Sequence, residues 1–120
     1  MNRNIEIGKW GEKVAESFLK NNACKVVDKN VRTPYGEIDI IAEDEGEVII
    51  VEVKTRTNNK YGYPEESITE LKIKHLIDSA EYYFQNMLND CVSYRLDVIT
   101  IEGKPGGSSP EINWYKNAIS

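Results

Sequence analysis

The stretch "EIDIIAEDEGEVIIVEVK", residues 37–54, decides the fold, because it reads as two strands folded back on each other at one acidic turn. A two-residue loop at Glu45 and Gly46 sets Asp44 opposite Glu47, Ile41 opposite Ile50 and Asp39 opposite Glu52. Side chains directly opposite have Cβ atoms about 4.5–5.5 Å apart, so two carboxylates there repel unless a cation sits between them or one takes up a proton. In this register one face carries Glu37, Asp39, Glu52 and Lys54, with Glu37 across from Lys54. The other face carries Ile38, Ile40, Ile49, Val51 and Val53 for packing. A slip by one residue would separate the acids, so the chemistry rests on the turn.

Outward from the hairpin, further elements follow from periodicity. Ile7, Trp10, Val14, Ala15, Phe18 and Leu19 recur at helical spacing and predict an amphipathic helix from about Ile5 to Asn21, with Glu12 at the margin of its apolar stripe. "KVVDKN" (25–30) predicts a short strand, and the turn formers of "RTPYGE" make it the first strand of a meander. After Lys54, "TRTNNKYGYPEES" predicts a loop leading into a helix, with Pro64, Glu65 and Glu66 in its first turn. That helix is expected to reach about Leu88 and to bury Ile68, Leu71, Leu76, Ile77, Ala80, Tyr83, Phe84 and Met87, leaving His75 partly exposed. "YRLDVITIE" (94–102) reads as another strand, "GKPGGSSP" (103–110) as a loop, and "EINWYKNAI" as a short strand or irregular tail. Trp10 and Trp114 are expected in the core.

Composition bounds the function. The chain has 120 residues, 40% of them apolar, which suits one domain over 1–120 with a single modest core. Every apolar run falls well short of the roughly 20 residues that span a bilayer. The N-terminal "MNRNIEIGKWGEK" has no uninterrupted apolar stretch like that of a secretory signal, so a soluble, cytoplasmic protein with no membrane partner is expected. Cys24, Cys91 and the single His75 lie in unrelated contexts, a poor basis for a zinc site or a disulfide; both cysteines are expected to be reduced packing residues. The net charge of −5 speaks against indiscriminate nucleic-acid binding. Its distribution says more: seven acids and no base lie between Glu37 and Glu52, then three bases and no acid from Lys54 to Lys60. An acidic cluster beside a basic stretch suits a phosphate substrate held through a divalent metal, and a solvated acidic turn accounts for part of the same pattern.

The chemistry such a cluster supports is metal-assisted hydrolysis of a phosphodiester. Magnesium, or manganese in its place, favours oxygen ligands, which Asp39 and Glu52 supply. Lys54 is placed to orient or deprotonate the attacking water or to stabilise a phosphate oxygen, and Glu12 to hold a second ion or a water. The Glu-x-Lys triplet alone carries little weight, since Glu70-Leu71-Lys72 and Glu102-Gly103-Lys104 repeat it. Only Glu52-Val53-Lys54 follows an apolar strand with an acid facing it across a hairpin. The competing reading is a surface ion-pair cluster.

In order, Gly8-x-x-Gly11-Glu12, "YGEIDIIA", "VIIVEVKTR", a Tyr-Gly loop, a Lys-bearing helix, "YRLDVI" and a final "NAI" resemble the YraN family of small bacterial proteins over nearly the whole chain. That family is similar to the archaeal Holliday junction resolvases of the PD-(D/E)xK nuclease superfamily. The resemblance implies a restriction-endonuclease-like α/β fold, a mixed central sheet flanked by helices. It also implies metal binding by Asp39 and Glu52, catalytic assistance by Lys54, a matching first-helix glutamate at Glu12, and DNA, including branched DNA, as substrate. Gly36, Glu37 and Ile38 stand where a Pro precedes the motif's Asp in other members. Resolvases generally act as homodimers, so a homodimer is also implied.

Remaining cations have two readings each. Arg32, Arg56 and Lys60 are phosphate contacts or solvated loop charges, a surface ion pair contributing roughly 0–1 kcal/mol. The resemblance implies a basic or amide residue near the phosphate on the second helix, which ranks Lys72 as a substrate contact ahead of Lys74, and Tyr61 and Tyr63 either stack on an unpaired base or pack their loop. The reading is a magnesium-dependent DNA endonuclease with catalytic Glu12, Asp39, Glu52 and Lys54; the alternative is a non-catalytic nucleic-acid- or protein-binding module on the same fold.

Overall fold

A computed structural model describes residues 3–57, 69–86 and 93–118. Helix α1 (Arg3–Asn21) is followed by an antiparallel meander of β1 (Lys25–Thr33), β2 (Gly36–Asp44) and β3 (Glu47–Arg56). Helix α2 (Glu70–Asn86) then leads to β4 (Tyr94–Glu102), which runs parallel to β3, and β5 (Glu111–Tyr115) pairs antiparallel with β4 at the far edge. The strand order is β1-β2-β3-β4-β5, a mixed five-stranded sheet. The protein is α/β, in agreement with the restriction-endonuclease-like arrangement expected from the sequence. Among the described residues no helix is long and apolar enough to cross a membrane.

The hairpin turn is the one predicted. Glu45 and Gly46 both have positive φ, 53° and 84°, the signature of the tight turn whose twist matches the flanking strands. It fixes Asp44 against Glu47, Ile41 against Ile50 and, as the last paired residues, Ile40 against Val51. Beyond them the Val53 amide donates to the Asp39 carboxylate at 2.9 Å, so a side chain caps the end of the ladder. Asp39 and Glu52 thus stand where the two strands stop pairing.

Two apolar layers lie on either side of the sheet. Ala15 and Leu19 of α1 pack with Ile40, Ala42, Ile49, Val51, Ile99 and Ile101 on one face. Leu76, Ala80, Tyr83 and Phe84 of α2 pack with Ile38, Ile41, Ile50 and Leu96 on the other. Both tryptophans are partly buried against the α1 layer, and Cys24 is buried there as a free thiol.

The expectation that Ile38 and Ile40 share a face is overturned, since they lie in opposite layers. The cause is Asn30, a strand residue at φ 51° between the pairs Lys29–Ile40 and Val31–Ile38. A left-handed residue breaks the two-residue alternation of a strand, and the twist there increases. Both strands reverse together: Lys29 reaches Glu16 of α1 at 3.1 Å, whereas Val31 packs on the α2 layer.

A second correction concerns Leu71, expected in the core but 63% exposed. It stands nine residues before Ala80, about two and a half turns, and therefore on the side of α2 away from that buried residue. His75 is exposed as expected. The closing segment forms β5, fastened by Asp97, which is 0% exposed. Asp97 accepts two bonds from the Arg95 guanidinium, one from the Trp114 indole and one from the Asn117 amide, all at 2.8 Å. Lys60, Tyr61, Tyr63, Pro64, Glu65, Glu66, Ile68, Met87, Leu88 and Cys91 lie outside the described residues.

Candidate active site

Where the β2–β3 ladder stops, a cavity of about 540 Å³ opens between the two helices, and Glu12, Asp39, Glu52, Lys54, Arg56 and Lys72 line it. Each wall has a local cause. On α1, Gly11 lies against Thr55 of β3 so closely that a Cβ there would overlap the threonine side chain, and this approach brings the adjoining Glu12 to the cavity. On β2, Asp39 is anchored by the Val53 amide. On β3, the alternation of the strand turns Glu52 and Lys54 the same way, toward α2. There Lys72 Nζ lies 3.1 Å from Glu52 Oε1, and Lys54 Nζ lies 4.0 Å from the same oxygen.

Acidic groups converge from the opposite side. Glu12, Glu37 and Asp39 can each present a carboxylate oxygen, all within 4.8 Å of one another. With its amide nitrogen turned to them, Asn30 donates to Glu12 Oε1 at 2.8 Å and to Glu37 Oε1 at 3.2 Å. The residue that reverses the strand faces therefore also ties two of the acids together.

This crowding is visible in proton affinities. Burial, and then the charge of Glu52, push the Asp39 carboxyl up to about 7, against the pull of the Val53 amide. Glu12 is raised by burial and by Glu37. Burial pushes the Lys54 ammonium down to about 8, helped by the hydrogen bond and charge of Lys72. Burial pulls Lys72 the same way, but its hydrogen bond with Lys54 and the Glu52 carboxylate outweigh that and leave it raised. One amine is thus easier to deprotonate and its neighbour harder.

The structure brings Glu12, Asp39, Glu52, Lys54, Arg56 and Lys72 of the sequence-predicted residues into one cavity. Arg32 is exposed on β1, 3.9 Å from Glu37. Lys74 pairs with Asp78 on the solvent side of α2 at 2.9 Å. Glu37, expected across from Lys54, joins Glu12 and Asp39 instead, because the strand faces reverse between Ile38 and Ile40. Asn30 is the functional residue that sequence reasoning misses. The available signal was its type, since Asn is among the few residues that accept a left-handed conformation.

Comparison with known proteins places this cavity in context. The model of the uncharacterised protein family UPF0102 matches residues 11–101, a span that contains Glu12, Asp39, Glu52, Lys54 and Lys72. A UPF0102 protein of Syntrophotalea carbinolica is 34% identical over 96% of this chain and 92% of its own length. One from Caldicellulosiruptor saccharolyticus is 40% identical over 95% and 97%, and one from Clostridioides difficile 48% identical over 82% and 86%.

Proposed function

The chain belongs to the uncharacterised protein family UPF0102, the YraN family, and from the site it carries we propose that it is a divalent-metal-dependent endonuclease hydrolysing DNA phosphodiester bonds. The observation that carries this reading is a single cavity with gathered carboxylates on one wall and two interacting lysines on the other. Branched DNA is the substrate class its resolvase-like resemblance favours.

The donor set fits magnesium or manganese. Asp39 and Glu12, which line the cavity with Glu52, and Glu37 beside them offer hard oxygen atoms, those of Glu12, Glu37 and Asp39 within mutual reach. Their mutual repulsion and burial, expressed in the raised proton affinity of Asp39 and Glu12, mark negative charge that a dication would offset. When bound, such an ion supplies Lewis-acid polarisation of the phosphodiester and an acidified water. The chain's own groups do the rest. Lys54, half-buried with an ammonium of lowered proton affinity, takes or gives a proton at Nζ or stabilises charge developing on a phosphate oxygen. Lys72 holds Glu52 in place and keeps a permanent positive charge beside Lys54. Arg56, at the cavity's rim, is placed to accept a flanking phosphate.

The test is calorimetric titration of magnesium and manganese, with a cleavage screen over single-stranded, duplex, flapped and four-way DNA. Wild-type protein is expected to give binding heat and cleavage, and the pair Asp39→Asn with Glu52→Gln to lose both. Lys54→Ala should keep the heat and lose at least a hundredfold in cleavage rate, the scale of a general acid–base contribution. Neither heat nor cleavage in the wild type, with DNA present or absent, would overturn the enzyme reading and leave a binding module.

A further inference from the structure

We propose that the hollow on the α2 side of the active-site cavity receives one unpaired nucleobase, so that the preferred substrate is DNA with a single-stranded nucleotide next to the scissile phosphate. This rests on the nuclease reading above and names the substrate within it.

The hollow, about 270 Å³, shares Glu52 and Lys72 with the active-site cavity, so a strand crossing one enters the other. Its remaining wall includes Tyr35, Leu71, His75 and Leu76. Two of these are large side chains left in solvent, Tyr35 at 49% exposure and Leu71 at 63%. An exposed ring and an exposed aliphatic chain beside carboxylates match the parts of a base, whose face stacks and whose amino edge donates hydrogen bonds.

Tyr35 is also held for the purpose. Its amide donates to Thr33 Oγ1 at 3.1 Å, and that hydroxyl is joined to Ser79 of α2 at 2.8 Å. The Tyr82 ring meets the Tyr35 ring edge-on, with centroids 6.5 Å apart. The turn is thus tied to the helix that forms the rest of the hollow, and little ordering is left for a ligand to impose.

The opposite flank has different chemistry. A cavity of about 160 Å³ shares Glu12 and Asp39 with the active site, and Lys9 and Lys13 line it beside the Lys29–Glu16 ion pair. Cations there suit a sugar–phosphate backbone, and the ring and aliphatic chain on the α2 flank suit a base. A fully paired duplex presents its backbone to both flanks and fills the α2 hollow only by unstacking a base.

The experiment compares a splayed duplex with a fully paired duplex of equal length, by fluorescence anisotropy with calcium in place of magnesium. A 2-aminopurine is set at the first unpaired position of the splayed DNA. Wild-type protein is expected to bind the splayed DNA about tenfold more tightly, with the 2-aminopurine emission quenched. The double variant Tyr35→Ala with Leu71→Ala, both outside the catalytic groups and exposed, should lose the preference and the quenching while keeping its affinity for the paired duplex. Equal wild-type affinities, a preference that survives in the variant, or a variant that loses both DNAs alike would each overturn the base subsite alone. Binding of neither DNA by the wild type would overturn the nuclease reading as well.

Discussion

Asp39 carries opposite demands in one side chain. It must end a strand ladder by accepting the Val53 amide, which favours the carboxylate, while burial and Glu52 disfavour it. The folded-state affinity is raised from the ordinary 3.8 to about 7, so the native protein holds a proton that the unfolded chain has released. The stability this contributes is fully present below about pH 4 and is lost as pH rises through 7, on the order of 4 kcal/mol at full ionisation. Metal-free protein should therefore lose stability across that window. Asp39→Asn, which keeps an oxygen for Val53, should flatten the dependence, as urea unfolding at pH 5 and pH 8 would record. Added magnesium should restore wild-type stability at pH 8 and leave the variant unmoved, since it acts by binding the native state. That Asp39, Glu52 and Lys54 come to one cavity was legible because the turn at Glu45-Gly46 sets the pairing as far as Ile40–Val51; the expected direct pair of Asp39 with Glu52 falls just past the end of that ladder. The company Asp39 keeps was not legible, because a single left-handed residue on the neighbouring strand, Asn30, decides it, and period-two reasoning has no place for such a residue.

Helix α1 shows how an element delivers a side chain. Its two glycines lie three positions apart, yet their surroundings differ: a Cβ at Gly11 would strike Thr55, and one at Gly8 would meet open space. Gly8→Ala should therefore stabilise the protein by about 0.5–1 kcal/mol, the usual gain from replacing a helical glycine. Gly11→Ala should instead destabilise by about 1–3 kcal/mol, as overpacking does, and should weaken metal binding by displacing Glu12. Thermal melts and magnesium titrations of the two variants separate these outcomes. The Gly-x-x-Gly-Glu spacing was visible in the sequence, but which glycine carries the packing was not, since that depends on β3 crossing under the helix at Thr55. The sequence pattern starts α2 too early: the helix begins at Glu70, where the Thr69 hydroxyl accepts from the Lys72 amide, and the apolar character of Leu71 mimics a core position that the helical angle denies it.

At the scale of the molecule, the end of the sheet away from the candidate site is closed by Asp97. It ties β4 to β5 and the turn after it through two hydrogen bonds, from the Trp114 indole and the Asn117 amide, and Arg95, which donates two more to it, extends the network to Asp44 and Glu47 at the β2–β3 turn, each at 3.0 Å. Asp97→Ala takes a fully buried acceptor away from partly buried donors, of which Arg95 keeps Asp44 and Glu47, so a loss of about 1–3 kcal/mol is expected in urea unfolding, with the carboxylates of the candidate site untouched. The sequence alternates Tyr94, Leu96, Val98 and Thr100 against Arg95, Asp97, Ile99 and Ile101, and the two layers follow that division, but both faces of β4 are covered, so alternation alone does not mark Asp97 as a fully buried acid. The meander itself has a further consequence, in the order of folding. Glu12, Glu37, Asp39, Glu52 and Lys54 all belong to α1 and the locally connected strands β1 to β3, whereas Lys72 comes with α2 and the parallel strand β4 closes by a much longer loop. Local contacts form ahead of distant ones. The acids are therefore expected to assemble before Lys72 reaches Glu52, and on the metal-binding reading proposed above magnesium should speed refolding as well as raise stability, which stopped-flow refolding with and without magnesium would record.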